Sequence, residues 1–428
     1  MLTIIRNGHV IDPANGIDGK LDIVIENGRI SRLAPKVSAP KKARNNTRII
    51  DASGKLVVPG LIDIHVHLRE PGREDEETIR TGTRAAAHGG FTSICAMPNT
   101  EPPVDSVAGI KFLLATARTE GVVNVFPFGC ITKGRNGNEL AEIGKMHRAG
   151  IVGITDDGSP VMNSQTMRHA LEYVRMADIP VVSHSEDLYL SENGIMNESY
   201  LSTVMGLKGI PAQAETTMVA RDIALAELTG GHLHVAHVSC AGSVVLIREA
   251  KRRKLSVTCE TAPHYFSLTE ESVSNYNTMA KVNPPLRSSV DVRAIIRGLK
   301  DGTIDAIASD HAPHTEEEKQ TEFNTAPAGI IGLETTVPVV FTYLVEKKLI
   351  DLKRAIELMS SGPRRIFGLK RGTLSPGAIA DITIIDPRME LVINKEWFVS
   401  KSKNSPFIGK KLTGFAETVF VSGKQVLL

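Results

Sequence analysis

The run Asp63-Ile64-His65-Val66-His67-Leu68-Arg69 sets two imidazoles two positions apart at the end of an apolar stretch. Side chains alternate across a strand, so His65 and His67 share one face while Ile64 and Val66 pack on the other. Such a pair can chelate a metal ion, although imidazole serves as often as an ordinary hydrogen-bonded group. The pair has company. Thr155-Asp156-Asp157-Gly158, His184-Ser185-Glu186, His234-Val235-Ala236-His237 and Ser309-Asp310-His311-Ala312-Pro313-His314 each end a β-rich run of their own. Imidazoles and carboxylates without clustered thiolates suit zinc or a similar first-row ion, and there are enough for one ion or for two bridged by an aspartate. Each residue alone has a plainer reading. Asp156 or Asp157 can cap the following helix, His184 can be a satisfied core group, and one of His234 and His237 must be something other than a ligand. Placement of so many at strand ends is what favours a metal centre.

Those strand ends belong to β-rich runs that alternate with amphipathic helical patterns, the signature of a parallel sheet with crossover helices. The runs begin near Leu61, Thr92, Val123, Ile151, Pro180, Leu233, Leu255 and Ile304. Helical periods cover Val107 to Arg118, Ser164 to Met176, Thr216 to Leu228 and Ser243 to Arg253, and Ser272 to Leu286 is irregular, predicting a long seventh connection. Eight such units predict an α/β fold, a closed (β/α)₈ barrel whose site lies at the C-terminal strand ends. No Gly-x-Gly-x-x-Gly turn follows the first strand, which disfavours an open dinucleotide-binding sheet. Both chain ends read as short strands with turns, Asn7-Gly8 and Asn27-Gly28 in one and Ser422-Gly423 in the other. The expected division is therefore a small β-sandwich from residues 1–55 plus 370–428, and a barrel from 56–369.

The chain has 428 residues, 42% hydrophobic and 23% charged, with a net charge of +2, an ordinary globular balance. Lys251-Arg252-Arg253-Lys254 reads as a helix end, so no nucleic-acid partner is expected. Cys95, Cys130, Cys240 and Cys259 fall singly, which fits a reducing compartment. No apolar leader or membrane span is expected, placing the protein in the cytoplasm, where the triplets Asn45-Asn46-Thr47 and Asn197-Glu198-Ser199 carry no glycosylation meaning.

Beyond these readings, the chain resembles a dihydroorotase of the amidohydrolase superfamily, class I bacterial type, over nearly its whole length. The stretches that carry the likeness are Asp63 to Gly72, Met97-Pro98-Asn99-Thr100, Asp156-Asp157-Gly158, His184-Ser185-Glu186, Gly209-Ile210-Pro211, His234 to Ser239, Val282 to Arg287, Ser309 to His314 and Gly332-Leu333-Glu334-Thr335. The resemblance implies that His65 and His67 hold one ion, that His184 and His237 hold the other, and that Asp157 bridges them. Related hydantoinases place a carboxylated lysine on the fourth strand, and Gly150 to Gly158 contains none. His234 would then orient a neighbour rather than bind metal. Asp310 would be both a metal-side carboxylate and the general base and acid. Substrate contacts would fall to Arg69, Asn99, Asn283 and His314, with backbone around Ala328 and Gly329 closing over the ring.

The implied reaction is the reversible cyclisation of N-carbamoyl-L-aspartate to L-dihydroorotate in pyrimidine biosynthesis, with zinc as cofactor. Its rivals are a hydantoinase or allantoinase, and a catalytically silent homologue that scaffolds aspartate transcarbamoylase. A homodimer and a transcarbamoylase partner are arrangements for which the sequence offers no motif. The stretch Glu322 to Gly329 is a candidate mobile cover that would exclude water on closure.

Overall fold

The computed structural model describes residues 2–37 and 47–426; Asn45 and Asn46 of the first triplet lie outside them. Parallel strands run Leu61–Val66, Phe91–Ala96, Asn124–Pro127, Val181–Ser183, Leu233–Val235, Val257–Thr261 and Ala306–Ile307. The first three form one sheet and the remaining four another. Two seams close these sheets into a cylinder. On one side Ile154 bridges in parallel to both Gly129 and Val181; on the other, Val66 bridges to His311. The His311 carbonyl also accepts the His67 N–H at 2.9 Å. Every residue of Leu61–Val66 and of Phe91–Ala96 is buried, because helices cover one face and the barrel interior the other, so these strands read as near-continuous apolar runs.

The barrel expected from the sequence is present, with one local departure. The fourth strand shrinks to Ile154 alone. Gly150, in the left-handed region at φ 113, ends the preceding helix, and the buried Asp156 and Asp157 follow soon after, so little room remains for a ladder. The helical patterns become Val107–Glu120, Ser164–Ala177, Gln213–Thr229 and Ala241–Arg252. Ser106 and Asn163 cap the first two by accepting backbone N–H groups. The basic run at 251–254 closes the last of the four, where cations suit the helix dipole. In the seventh connection, short 3₁₀ turns at Glu270–Tyr276 and Thr278–Ala280 precede the crossover helix Ser289–Asp301.

Both chain ends contribute to a six-stranded sheet ordered Lys424–Val426, Lys411–Val421, Ile382–Val392, Leu56–Pro59, His9–Asp12, Ile17–Lys20. A four-stranded sheet, ordered Arg29–Ala34, Asp22–Glu26, Leu2–Arg6, Thr47–Asp51, faces it. Ile5, Ile23 and Ile25 from one sheet pack with Val57, Ile382, Ile384 and Phe420 from the other, which makes a β-sandwich. Leu56–Pro59 lies in this sandwich rather than in the barrel, beyond the expected boundary at residue 55. It passes through Gly60 directly into the first barrel strand, where a Cβ would collide with the Thr92 side chain and reach Asp381 Cβ at 2.9 Å. Residues 398–407 depart in the other direction: Ser402 Oγ donates to the Glu76 carbonyl at 2.7 Å, on the barrel rim. The four cysteines are free and buried. Among the described residues no helix is long and apolar enough to cross a membrane.

Candidate metal and substrate site

Asp157, at the end of the abbreviated fourth strand, is encircled by imidazoles. Its Oδ1 lies 3.5 Å from His65 Nε2, 3.4 Å from His184 Nδ1 and 3.3 Å from His237 Nε2, and its Oδ2 lies 3.6 Å from His67 Nε2. Asp310 Oδ1 adds contacts at 3.5 Å to His65 Nε2 and 3.3 Å to His67 Nε2. Strand ends far apart in the chain thus bring His65, His67, Asp157, His184, His237 and Asp310 to one spot. The neighbouring Asp156 does not join them. Its carboxylate accepts the Ile131 N–H at 2.8 Å and the Thr132 N–H at 3.2 Å, which ties down the preceding segment instead of capping the next helix.

The donor set fits a divalent cation. Ligands on a tetrahedral zinc lie about 2.0–2.1 Å from the ion, hence about 3.3 Å from one another, close to the spacings around Asp157. His65 Nε2 is buried with no hydrogen-bond partner. Two overlapping groups have donor atoms close enough to share an ion: His65, His67 and Asp310; and His65, Asp157 and His237. His65 belongs to both, whereas the resemblance pairs His184 with His237 for the second ion. His184 Nδ1 still lies 2.9 Å from His237 Nε2.

Electrostatics point the same way. Burial pushes the Asp157 carboxyl up, but His65, His184 and His237 outweigh it and hold it well below the usual range. Burial likewise opposes charge on His184, yet Asp157 and Glu186 raise it to about 10. Without an ion, protons on imidazole balance the buried carboxylates. Metal uptake near neutral pH must therefore displace protons, and affinity is expected to weaken as pH falls. Calorimetric titration of zinc in buffers of different ionisation enthalpy checks this: a heat independent of the buffer would disprove it.

A layer of partners aims the imidazoles. Glu260, on the seventh strand, accepts from His65 Nδ1 at 2.7 Å and lies 3.3 Å from His234 Nε2. That leaves the His65 Nε2 lone pair directed at the cluster. Burial raises the Glu260 carboxyl, but His234 and His65 bring it down to about 2. His234 thus meets the cluster through Glu260, and its Nδ1 lies 2.9 Å from Thr258 Oγ1. Asn99 Oδ1 lies 2.8 Å from His67 Nδ1, so the amide expected to touch substrate also orients that imidazole. Glu186 accepts from His184 Nε2 at 3.0 Å and from Asn283 Nδ2 at 2.9 Å. Glu260 and Glu186 are absent from the sequence-based set of site residues, although Glu186 falls within the run His184-Ser185-Glu186 that follows the fifth strand.

Two of the residues expected to grip substrate, Arg69 and His314, meet beside this cluster at Glu76, which is 1% exposed. Arg69 Nε lies 2.8 Å from Glu76 Oε2, and His314 Nδ1 lies 2.8 Å from Glu76 Oε1. His314 Nε2 faces the Ala328 carbonyl at 3.0 Å and Arg69 Nη2 at 3.4 Å. Gly329 is required by its backbone, with φ 141 and Cβ space already filled by Ala312 Cβ at 2.9 Å. Its N–H donates to the Lys281 carbonyl and its own carbonyl accepts from Lys319 Nζ and Asn404 Nδ2. Gly329 therefore contributes a wall rather than free backbone groups. Arg69, His237 and Asp310 all have positive φ, at 61, 33 and 50. Strain of this kind concentrates where geometry serves function.

Comparison with known proteins places this arrangement. A family model described as Dihydro-orotase-like matches residues 54–243. The dihydroorotase of Geobacter sp. (strain M21) is 53% identical over 426 residues, covering 100% of this chain and 99% of that protein. The chain belongs to the dihydroorotase family. The dihydroorotase of Endomicrobium trichonymphae is 53% identical over 423 residues, covering 99% of this chain and 98% of that one. Among solved structures, the L-hydantoinase (dihydropyrimidinase) from Arthrobacter aurescens superposes with a TM-score of 0.89 at 27% identity, covering 99% of this chain and 95% of the other. The fold is thus shared with a hydantoinase, and sequence likeness places this chain with the dihydroorotases.

Proposed function

We infer that the chain catalyses the reversible cyclisation of N-carbamoyl-L-aspartate to L-dihydroorotate, with a barrel that carries the chemistry and a β-sandwich that supports it. The observation that carries this reading is Asp157, a carboxylate on the fourth strand surrounded by His65, His67, His184 and His237. We assign these four imidazoles, Asp157 and Asp310 as the residues that would hold the cation, with zinc as the ion and Asp157 as the group that two ions would share. A divalent cation there supplies Lewis-acid chemistry, acidifying water and polarising an amide carbonyl.

The chain's own groups do the rest. Arg69, His314, Asn99 and Asn283 orient the substrate, and the turn at Ala328 and Gly329 walls the ring. In the ring-opening direction Asp310 takes a proton from the attacking water and returns it to the departing ring nitrogen. Cyclisation runs through the same groups in reverse. Hydrolysis of dihydroorotate, hydantoin and allantoin by the purified protein tests the reading: dihydroorotate alone should be turned over efficiently, and comparable rates on hydantoin or allantoin would overturn it. A silent scaffold finds no support, since every implied ligand is present and faces the same centre.

Arg69 is expected to discriminate sharply between guanidinium and ammonium. Glu76 already holds its Nε edge, which leaves the planar fork aligned for a carboxylate. Arg69→Lys keeps the charge and loses the paired contact. A charge-assisted bond is worth about 2 kcal/mol, so kcat/KM for dihydroorotate should fall roughly 30-fold. Unchanged steady-state kinetics would remove Arg69 from the site.

A further inference from the structure

The C-terminal segment 398–407 leaves the β-sandwich and wedges behind the substrate side of the barrel rim. The Val399 N–H donates to Glu334 Oε1 at 2.6 Å, Ser400 Oγ to Glu77 Oε2 at 2.5 Å, and Ser402 Oγ to the Glu76 carbonyl at 2.7 Å. The segment thus grips the stretch that supplies Glu76, on which Arg69 and His314 depend. Asn404, in the same segment, is 2% exposed. Asn404 Nδ2 donates to the Ala312 carbonyl at 3.0 Å and to the Gly329 carbonyl at 3.1 Å, while Oδ1 accepts the His314 N–H at 3.2 Å. Its backbone carbonyl accepts the Ile331 N–H at 2.9 Å.

One planar amide therefore fastens the end of the eighth strand, the backbone of His314 and the turn at Gly329 to each other. The task needs two donors and an acceptor on one short side chain, which asparagine supplies and aspartate does not. None of these bonds reaches a cation-holding residue. We propose that Asn404 is a positioning residue of the substrate site, fixing His314 against the Ala328–Gly329 turn so that the space between them matches the bound ring; this rests on the reading of His314 and that turn as substrate contacts. A residue acting this way governs how well substrate is held, not the proton transfer at Asp310. Displacements of about 1 Å at a binding contact cost up to 10²-fold.

The test is a set of variants of the metal-loaded full chain: Asn404→Asp, Asn404→Ala, His314→Ala and Asn404→Ala with His314→Ala. Steady-state kinetics on dihydroorotate, metal content and thermal unfolding are measured for each. Both Asn404 variants should raise KM about tenfold or more, with kcat within about threefold and metal content unchanged. The double variant should be no worse than His314→Ala alone, because the two act through one contact. An unchanged KM in the Asn404 variants, or losses that add in the double variant, would overturn the proposal. Should Asn404→Ala fail to fold, Asn404→Asp carries the test with nearly the same shape; failure of both to fold would make Asn404 a purely structural residue and overturn it too. If His314→Ala itself leaves KM unchanged, the substrate reading of His314 has failed. If His314→Ala raises KM while the Asn404 variants do not, that reading stands and only the role of Asn404 falls.

Discussion

Asp310→Asn is expected to lower kcat by about 10³-fold while leaving metal content essentially intact. The substitution keeps the shape of the side chain and removes its ability to accept a proton. Asp310 is placed to do that work. It follows the eighth strand, its φ of 50 turns the carboxylate across the barrel mouth, and Oδ1 comes within 3.3 Å of His67 Nε2. Burial alone would raise its carboxyl, but His65, with His67 and His237, holds it well below the usual carboxylate range. The group is therefore ionised at physiological pH, the state a proton acceptor must occupy. Asn keeps an oxygen where Asp310 meets His65 and His67, and the group of His65, Asp157 and His237 does not involve Asp310, so cation holding is expected to survive the change. KM should move by only a few fold, since the lost interaction belongs to the transition state. Metal analysis alongside kcat and KM decides the matter. Near-normal turnover in a metal-replete variant would refute the assignment, and loss of metal together with activity would show that Asp310 serves mainly as a ligand.

The cluster around Asp157 could be anticipated from sequence because barrel strands obey a simple rule: the residues just past the C-terminal end of each apolar run lie at the same end of the cylinder. His65 and His67 share a face by the period of two, and His184, His237 and Asp310 come after their own runs. The same rule separates Asp157 from Asp156 only when the chain is folded, since adjacent residues face opposite ways and sequence does not say which faces inward. Glu260 was not legible because a single acidic residue within Val257–Thr261 looks no different from one facing solvent. Its partnership with His65 spans 195 positions. The contacts of Asn404 are equally remote, 90 positions from His314, and they arise from a segment whose composition resembles any polar loop. The positive φ values of Arg69, His237 and Asp310 had no signal at all, because none of these is a glycine. The apolar pattern carries Leu56–Pro59 into the barrel because it runs almost unbroken into Leu61–Val66; cross-strand pairing with Ile382 to Ile385 and with His9 and Val10 places these residues in the sandwich.

His65→Ala should be the most damaging single change at the cation site. His65 is the one residue common to both groups of converging donors, so its removal leaves neither complete. It is fully buried, and the cavity left by the ring would lie between Asp157 and Asp310, whose charges it helps to balance. Zinc content is expected to fall below half of the parent value after dialysis, and activity by about 10³-fold or more, in line with losing a Lewis acid worth several kcal/mol to the transition state. A graded companion is Glu260→Gln, which keeps a hydrogen-bond acceptor for His65 Nδ1 but removes the carboxylate's charge. Changes of that kind typically cost 10–100-fold in metal affinity, so added zinc should restore activity to Glu260→Gln and fail to restore it to His65→Ala. Stripping the parent protein with a chelator and reloading it sets the reference for full recovery. If His65→Ala retains both zinc and turnover, the cation is held elsewhere. Equal recovery of both variants at the same zinc concentration would mean that Glu260 does not act through His65.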